Sequence, residues 1–501
     1  MTTQIRERDD ALSAPDDHDR RRLDRSLVHG IAWTGGLKWV TQGFSWAATI
    51  YIARILSPAD YGLVGLATLY IGLVAMVNEL GLGAAIIRRR DLTDDQISAI
   101  GGISVAMGAT LWAVSAALAP FVAIFFARWQ VTLVLTVLSI TFVTSGLKVI
   151  PRAILSRELQ FRKVATIDAI EASISIVFTL GLAMAGYRYW SLVYGTLLGS
   201  VVSTSVALVW RHHPIRWPRH FEEVSGAAAF GSHIVISRIA WYLYSNADFA
   251  VVGKVIGTVA LGAYNFGWTM ASIPVDRISG MVAQVTPAVL SAVQNDRPAL
   301  RRYLLRITEA LAFITFPASL GLALVAKDFV LLALGQQWSA AVLPLRLLAF
   351  YAGFRSITTL FPHVLQAVGQ SRRAMNLSLL ALCILPPLFY VGASTHGAAG
   401  VAVAWIFGYP LVMIPAFQAV FEVTELRARE YFAAVWPALF GSLVMAGAVL
   451  SIASILPDSH HRLVRLVLEC TSGALTYSAV MFALYRDRLS GWIALIKEFR
   501  R

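Results

Sequence analysis

The sequence predicts an all-α polytopic membrane protein with about 14 transmembrane helices, arranged as two pseudo-symmetric six-helix lobes plus two C-terminal helices. Of the 501 residues, 57% are hydrophobic and 14% are charged, whereas soluble domains carry about 25% charged residues. The apolar residues form blocks of about 18 or more positions, each able to cross a hydrocarbon core of roughly 30 Å. This pattern excludes a soluble enzyme, and it excludes an outer-membrane barrel, whose strands alternate over short segments.

Charged residues, glycines and prolines separate the apolar blocks and mark where each candidate helix ends. In chain order the candidate helices cover residues 29–55, 61–79, 97–126, 130–150, 164–185, 189–210, 228–252, 258–286, 304–327, 342–366, 376–395, 398–420, 432–456 and 464–485. The corresponding regions are a disordered cytoplasmic tail (1–28), an N-terminal lobe (29–210), a cytoplasmic linker (211–227), a C-terminal lobe (228–420), helices 13 and 14 (421–485) and a basic cytoplasmic tail (486–501). The first region has no apolar core, so a cleavable signal peptide is not expected.

Lysine and arginine are unevenly distributed between the two sides of the predicted helices. Of 42 basic residues, 29 fall on the side of the N-terminus, seven on the opposite side and six inside helices. Cytoplasmic loops of membrane proteins carry such an excess, so both termini are placed in the cytoplasm. The net charge of +13 is then explained by topology and anionic headgroups, and nucleic acid is not an expected partner.

An internal repeat with an offset of 200 residues supports the two lobes. Arg54–Ser57 with Gly62 matches Lys254–Gly257 with Gly262, and the same offset aligns Lys38 with Arg238. Like-oriented repeats related by an axis along the membrane normal occur in transporters. The alternative is a chance similarity of two helix breaks.

Basic side chains inside the predicted helices are candidates for substrate binding, because a buried ion is costly unless it faces a polar cavity or a partner. Two polar stripes begin at such residues: Lys38, Gln42, Ser45 and Thr49 on helix 1, and Arg238, Tyr242 and Ser245 on helix 7. Stripes at equivalent positions predict a hydrated, cationic central cavity. The alternative for Lys38 is snorkelling to the interface, although it lies ~14 Å beyond the start of its helix.

Helices 8 and 10 supply further candidate cations. Arg346 and Arg355 lie nine residues apart, on opposite faces of helix 10, so only one can line the cavity. Arg355 is preferred because it lies nearer to mid-depth. Arg277 on helix 8 is either a cavity residue or a cytoplasmic anchor, and Lys148, near the inner end of helix 4, is expected to snorkel.

Four acids also lie inside predicted helices: Asp168, Glu171, Asp248 and Glu309. Acids at membrane depth can take up protons or a cation, and can thereby couple transport to a proton or sodium gradient. They can equally be structural partners of buried arginines. The sequence leaves both roles open for each of the four.

No catalytic signature such as GxSxG, HExxH or a Walker A loop occurs in the sequence. No catalytic residue, resident cofactor or metal site is therefore predicted. Cys383 and Cys470 lie within apolar blocks, so neither a disulfide framework nor a metal site is expected. A membrane glycosyltransferase, polymerase or ligase is the competing class, and the short external turns argue against it because such enzymes carry their catalytic groups on larger external loops.

Four segments together resemble the polysaccharide-transporter branch of the MOP exporter superfamily. In order they are Ala53–Gly62; Asn78–Gly83 continuing through Ala85–Arg89 to Leu92 and Thr93; Arg152–Leu155 with Arg157, Leu159 and Phe161; and Asn246–Asp248 with Val252–Lys254, Leu261–Tyr264 and Pro274. The resemblance covers essentially residues 27–430, and it depends on the four segments occurring in the correct order.

The resemblance implies a Wzx/WzxC-type flippase with 12 core helices in two lobes, often with two further helices, around a cationic cavity. Such a protein moves undecaprenyl-diphosphate-linked sugar from the inner to the outer leaflet of the bacterial cytoplasmic membrane. The implied partners are this lipid-linked sugar, the bilayer, and the polysaccharide polymerase and chain-length proteins of the pathway. Lys38, Arg238 and Arg355 would receive the diphosphate, although they lie outside the matched segments. Helices 13 and 14 could then form a groove for the polyprenyl tail.

Two other transporters of the same superfamily remain alternatives. A lipid II flippase moves a headgroup that is also a diphosphate sugar. A multidrug–cation antiporter moves mostly cations, and the excess of buried bases over buried acids argues against it.

Overall fold

The computed structural model describes residues 47–78, 86, 92–214, 232–293, 296–455 and 462–486. Within these ranges the chain is almost entirely helical and contains no strand. The helices are α1 (47–55), α2 (Pro58–Asn78), α3 (Asp94–Phe126), α4 (Gln130–Leu138), α5 (Ile140–Arg157), α6 (Phe161–Met184), α7 (Tyr189–Trp210), α8 (Ser232–Val251), α9 (Thr258–Ala292), α10 (Arg297–Ala333), α11 (Val342–Thr358), α12 (Phe361–Ala367), α13 (Ser371–Thr424), α14 (Ala428–Ile455) and α15 (Arg462–Leu484). A π-helical turn, Val252–Ile256, follows α8, and a 3-10 turn, Gln336–Ala341, precedes α11.

Ten helical spans in the described ranges are long and apolar enough to cross a membrane. This confirms the polytopic all-α class, while the number of 14 helices stays a prediction. The 54-residue helix α13 counts as one of these spans, but its backbone is not helical at His396 and Gly397. The break falls between the predicted helices that end at 395 and begin at 398, because Gly397 adopts a φ of +62° that glycine tolerates.

Side chains that cap the first turn determine where several helices begin. At α2, the Ser57 backbone N–H donates to Asp60 Oδ2 (3.0 Å), and the Asp60 backbone N–H donates to Ser57 Oγ (3.3 Å). Thr93 and Gln96 form the same reciprocal pair at the start of α3. Each pair satisfies backbone donors that have no partner within the helix.

Helix α10 is longer than predicted at both ends, covering Arg297–Ala333 instead of 304–327. Asp296 Oδ1 accepts a hydrogen bond from the Ala299 backbone N–H (2.9 Å), and Pro298 occupies the first turn. Both features favour a helix start at this point. The predicted ends were wrong because hydropathy marks where the apolar block stops, whereas the helix continues through the charged residues beyond it.

The chain divides into two compact units. The first contains Met1–Ile52, Asn78–Ala116 and Thr136–Glu223, and the second contains Ala53–Val77, Ala117–Leu135 and Val224–Arg501. Helices α5, α6 and α7 pack together in the first unit. Small residues permit this packing: a Cβ atom at Gly199 on α7 would lie 2.7 Å from the Glu171 carbonyl oxygen on α6.

In the second unit the two copies of the repeat contact each other. A Cβ atom at Gly62 would lie 1.8 Å from the Thr258 carbonyl oxygen, and one at Gly262 would lie 1.8 Å from the Pro58 carbonyl oxygen. Only glycine fits at either position, because both obstructing atoms belong to the backbone. These contacts are reciprocal, as expected when two segments that lie 200 residues apart in the chain are related by a local twofold axis.

The repeated cations Arg54 and Lys254 also have equivalent partners within this unit. Arg54 Nε donates to the Ala333 carbonyl oxygen at the C-terminal end of α10 (2.5 Å). Lys254 Nζ donates to the Phe125 carbonyl oxygen at the C-terminal end of α3. Cations are favoured at these ends, where the last carbonyl groups of a helix carry partial negative charge.

Candidate functional site

The predicted cationic stripe on helix 1 is only partly described. Lys38, Gln42 and Ser45 lie outside the described residues. Thr49 lies in α1 and is half-buried. A substrate-binding role for Lys38 therefore stays a prediction.

The matching stripe on α8 begins at Arg238, whose side chain is exposed. The hydroxyl of Tyr242, one turn further on, donates to the Leu69 carbonyl oxygen on α2 (2.9 Å). Gly72 leaves the space for this tyrosine, because a Cβ atom there would lie 2.1 Å from the hydroxyl oxygen. The Ser245 hydroxyl donates back to the Tyr242 carbonyl oxygen (3.2 Å). The stripe thus presents one exposed cation next to a tyrosine that is anchored to α2.

Arg355 on α11 lies beside Asp276 on α9, a residue that the sequence analysis did not select. Arg355 Nη2 is 2.6 Å from Asp276 Oδ1 and 3.4 Å from Ser272 Oγ. The guanidinium carbon is 5.6 Å from the ring centroid of Trp268, which is a cation–π contact. The Arg355 side chain is only 22% exposed, whereas that of Asp276 is 60% exposed.

The guanidinium of Arg355 is not saturated by these contacts. Its Nε is buried and has no hydrogen-bond partner among the described residues. Both described hydrogen bonds come from Nη2, so the N–H donors of Nη1 remain for an anionic ligand.

Two other predicted cations lie apart from this cluster. Arg277 is exposed on α9, and it points about 100° away from its neighbour Asp276 around the helix axis. Arg346 is also exposed, and its Nε donates to the Ala323 carbonyl oxygen (3.2 Å). Of the two arginines on α11, Arg355 is therefore the one in a mostly buried polar cluster.

Asp248 on α8 is fully buried, and its described hydrogen-bond donors are all neutral. Its Oδ2 accepts from the Tyr264 hydroxyl on α9 and from Trp405 Nε1 on α13, both at 2.8 Å. Its Oδ1 accepts from the Phe249 backbone N–H (2.9 Å). No Lys or Arg of the described chain forms an ion pair with this carboxyl group. Buried carboxyl groups in such surroundings are candidates for proton or cation uptake.

An aromatic cluster links Asp248 to Arg355. Trp405, which donates to Asp248, stacks on Tyr351 with ring centroids 4.9 Å apart and contacts Trp268 at 5.4 Å. Trp268 in turn lies against the Arg355 guanidinium. Asp248 and Arg355 are thus connected by a continuous series of packed aromatic side chains.

Asp168 and Glu171 on α6 are paired with cations of α5. Asp168 receives two hydrogen bonds from Arg152, at 2.7 and 3.0 Å, in a bidentate arrangement. Glu171 Oε2 lies 2.5 Å from Lys148 Nζ and accepts from the Ser203 hydroxyl on α7 (2.9 Å). The Lys148 side chain is 11% exposed, so the expectation that it snorkels was wrong. Its carboxylate partner Glu171 lies on the neighbouring helix α6, and the prediction considered only the helix that carries Lys148.

The last predicted acid, Glu309, is half-buried on α10. A second buried ionic cluster was not anticipated: Arg465 Nε on α15 lies 3.2 Å from Asp328 Oδ2 on α10 and 2.9 Å from Glu469 Oε1. Its signal in the sequence is the four-residue spacing of Arg465 and Glu469, which places both side chains on one face of a helix. No group of three or more His, Cys, Asp or Glu side chains that could hold a metal ion occurs in the described ranges.

Comparison with known proteins identifies one matching family and several relatives. A family model described as "Polysaccharide biosynthesis protein" matches residues 51–343, which is more than half of the chain. An uncharacterized membrane protein in the cps region of Klebsiella pneumoniae is 25% identical over 390 residues, covering 77% of this chain and 80% of that protein. The lipopolysaccharide biosynthesis protein WzxC of Escherichia coli (strain K12) is 23% identical over 433 residues, covering 84% and 86%. The succinoglycan biosynthesis transport protein ExoT of Rhizobium meliloti (strain 1021) is 23% identical over 346 residues, covering 69% and 70%.

Several solved structures are similar in fold, and two of them follow. The lipid II flippase MurJ, in an inward closed conformation, superposes with a TM-score of 0.70 at 15% identity and covers 90% of this chain and 99% of that one. An inward-facing multidrug resistance transporter of the MATE family, in the MOP superfamily, has a TM-score of 0.63 at 18% identity and covers 77% and 94%. These similarities confirm the predicted fold class.

Proposed function

Because the chain belongs to the polysaccharide biosynthesis protein family whose model covers residues 51–343, we propose that it is a flippase for undecaprenyl-diphosphate-linked oligosaccharide. It moves this precursor of a polysaccharide, O-antigen or exopolysaccharide from the inner to the outer leaflet of the bacterial cytoplasmic membrane. It works by alternating access through a cationic central cavity. Relatives are named for lipopolysaccharide and succinoglycan biosynthesis, and one of them is named as a transport protein, which supports transport and not catalysis.

The surroundings of Arg355 are the main support for a substrate with a diphosphate group. Its guanidinium is mostly buried, yet its partner Asp276 is more than half exposed and part of its hydrogen-bonding capacity is unused. A diphosphate can bind such a guanidinium in place of the Asp276 carboxylate. Arg238, Arg277 and Lys38 are proposed as further cations for the same headgroup, and Gln42, Ser45, Thr49, Tyr242 and Ser245 as polar lining.

Asp248 is the acid proposed to couple transport to a proton or sodium gradient. Asp168 and Glu171 are already neutralised by cations, whereas Asp248 accepts hydrogen bonds from neutral groups. Uptake of one proton or one cation would compensate its charge. Through Trp405 and Trp268, this uptake would alter the surroundings of Arg355.

The proposed orientation places both termini in the cytoplasm. It derives from the basic excess on one side of the predicted helices. Reporter fusions after Arg90, Arg216 and Arg373 should be cytoplasmic, and fusions near Asp60 and Thr395 should be external. A cytoplasmic fusion near Thr395 would contradict the 14-helix topology.

A reconstituted transport assay tests the proposed function. Purified protein in liposomes should move undecaprenyl-diphosphate-linked oligosaccharide between leaflets, detected as accessibility of the sugar to an enzyme added outside. Headgroup analysis should find no new glycosidic bond. A new bond would identify a glycosyltransferase or polymerase instead. Preference for lipid II or for organic cations over the oligosaccharide lipid would favour one of the two sister transporters.

A further inference from the structure

The first structural unit contains a ladder of paired polar side chains between α5, α6 and α7. The ladder comprises Thr144, Lys148 and Arg152 on α5, Asp168 and Glu171 on α6, and Ser200, Ser203 and Thr204 on α7. Its α5 members are spaced four residues apart and therefore share one helix face. Charge is balanced in it, because two cations face two carboxylates.

Exposure of the ladder increases steadily along its length. At one end, Thr144 bonds to the Ser200 hydroxyl (2.6 Å), and both side chains are buried. Lys148 and Glu171 are 11% and 35% exposed, and Arg152 and Asp168 are 43% and 41% exposed. The exposed end is the one nearer to the predicted cytoplasmic turn between α5 and α6.

The exposed rungs lie at a depth where contact with lipid chains is unfavourable. At 1.5 Å per residue, Arg152 lies ~8 Å and Lys148 ~14 Å from the end of α5 at Arg157. The predicted apolar block of this helix ends at residue 150, so Lys148 lies just inside the inner leaflet and Arg152 lies at its cytoplasmic boundary. Half-exposed ion pairs at this boundary face water or a polar ligand, since exposing charged groups to acyl chains is unfavourable. The ladder therefore marks a hydrated surface that narrows towards mid-bilayer.

The chemistry of this surface differs from that of the Arg355 cluster. Every rung combines donors with acceptors, and Arg152 and Asp168 retain hydrogen-bonding capacity beyond their two mutual bonds. A diphosphate would be repelled by the two carboxylates. Sugar hydroxyl groups act both as donors and as acceptors, so they can bond to both members of an exposed ion pair.

We propose that this ladder is a binding surface for the neutral, hydroxyl-rich sugar portion of the lipid-linked substrate, distinct from the cations that receive its diphosphate. This inference rests on the proposed function. The exposed pair Arg152–Asp168 would contact the sugar first, and the deeper hydroxyl groups would limit how far it enters.

Binding to two lipids separates the sugar contribution from the headgroup contribution. The full-length protein in lipid nanodiscs is titrated with undecaprenyl diphosphate, and separately with the undecaprenyl-diphosphate-linked oligosaccharide extracted from producing cells. The double variant Arg152→Met, Asp168→Leu removes both partners together, so no unpaired charge is left behind. Its affinity for the sugar-bearing lipid should fall roughly tenfold or more, the effect of losing at least one hydrogen bond to a charged group. Its affinity for undecaprenyl diphosphate should not change.

Three further variants distinguish the outcomes. Arg373→Met, Glu422→Leu removes an exposed ion pair of the second unit (2.9 Å) and should leave both affinities unchanged. Arg355→Gln should weaken binding of both lipids. The exchanged pair Arg152→Asp, Asp168→Arg should keep more affinity for the sugar-bearing lipid than the Arg152→Met, Asp168→Leu variant. If the Arg152→Met, Asp168→Leu variant fails to fold, the exchanged pair tests the sugar surface in its place.

Equal loss of both affinities in the Arg152/Asp168 variant, or loss of neither, overturns the sugar surface while leaving the flippase proposal intact. If the unaltered protein binds neither lipid, the proposed function itself is wrong, and the sugar surface fails with it.

Discussion

Carboxyl groups at membrane depth have contrasting surroundings in the two structural units. In the first unit, Asp168 and Glu171 lie 2.7 and 2.5 Å from the cationic nitrogens of Arg152 and Lys148. In the second unit, Asp248 is fully buried and bonded to the neutral groups of Tyr264 and Trp405. An acid whose charge is already compensated gains little from binding a proton or a cation. We therefore expect the charge of an acid's hydrogen-bond partners, and not its depth or residue type, to distinguish a coupling acid from a structural one.

The same contrast applies to the cations. Arg152 is held in a bidentate pair, whereas Arg355 uses one nitrogen for Asp276 and Ser272 and has a buried nitrogen without a described partner. The cations of the first unit's cluster are therefore paired, whereas Arg355 keeps hydrogen-bond donors that no described residue uses. The paired charges of the first unit fit the proposed sugar surface, whereas the unused donors of Arg355 and the neutral partners of Asp248 fit the proposed binding of a diphosphate and of a coupling ion.

The largest effect is expected at Asp248. Asp248→Asn keeps the size and one acceptor oxygen of the side chain but removes the charge, so gradient-driven glycan export should be lost completely. Downhill movement without a gradient should persist. Export is measured with and without a collapsed membrane gradient, in a strain lacking its own flippase. Tyr264→Phe, which removes one donor and leaves the carboxyl group, is the matched control and should retain gradient dependence. Full gradient-driven export by Asp248→Asn would contradict the proposal that the unpaired acid of the second unit couples transport to the gradient.

A smaller effect is expected at Arg355. Replacement by Gln removes a charge-assisted hydrogen bond to the diphosphate worth roughly 1.5–3 kcal/mol, which corresponds to about 10- to 100-fold weaker binding. Arg355→Lys should restore it only partly, because an ammonium group cannot bind in a bidentate manner. Glycan export and lipid affinity are both measured, with membrane protein level as the reference. Arg346→Gln, on the opposite face of α11, should behave like the unaltered protein.

Most helix ends could be predicted because local residues set them. The break in α13 follows from Gly397, and α2 begins at Pro58 after Ser57, both visible in the sequence. The ends of α10 were missed since Asp296 caps the helix outside its apolar block. Local chemistry therefore accounts for the elements, including those whose predicted length was wrong.

The polar clusters could be predicted only in part. The sequence selects Arg355, Asp248 and Glu171 as costly residues in an apolar block, but their partners come from other helices. Asp276 is 79 residues from Arg355, and Trp405 is 157 residues from Asp248. Such pairings depend on helix packing, which periodicity in one helix cannot reveal. These partners are the basis on which Asp248 is proposed for coupling and Asp168 and Glu171 for structural roles.

The smallest effect on coupling is expected at Glu171, the paired acid of the first unit. Glu171→Gln leaves Lys148 without its counter-ion, at 11% side-chain exposure. Removing one partner of a buried pair costs up to about 3–5 kcal/mol, but the carboxylate is a third exposed, so about 1–3 kcal/mol of folding stability is expected. The double variant Lys148→Met, Glu171→Met should regain most of this loss, because neither charge is then left unpaired. Stability is measured by thermal unfolding in detergent. The ratio of export with and without a gradient should equal that of the unaltered protein in both variants. A collapse of that ratio in Glu171→Gln would show that ion pairing does not exclude an acid from coupling, and the assignment of coupling to Asp248 alone would have to be abandoned.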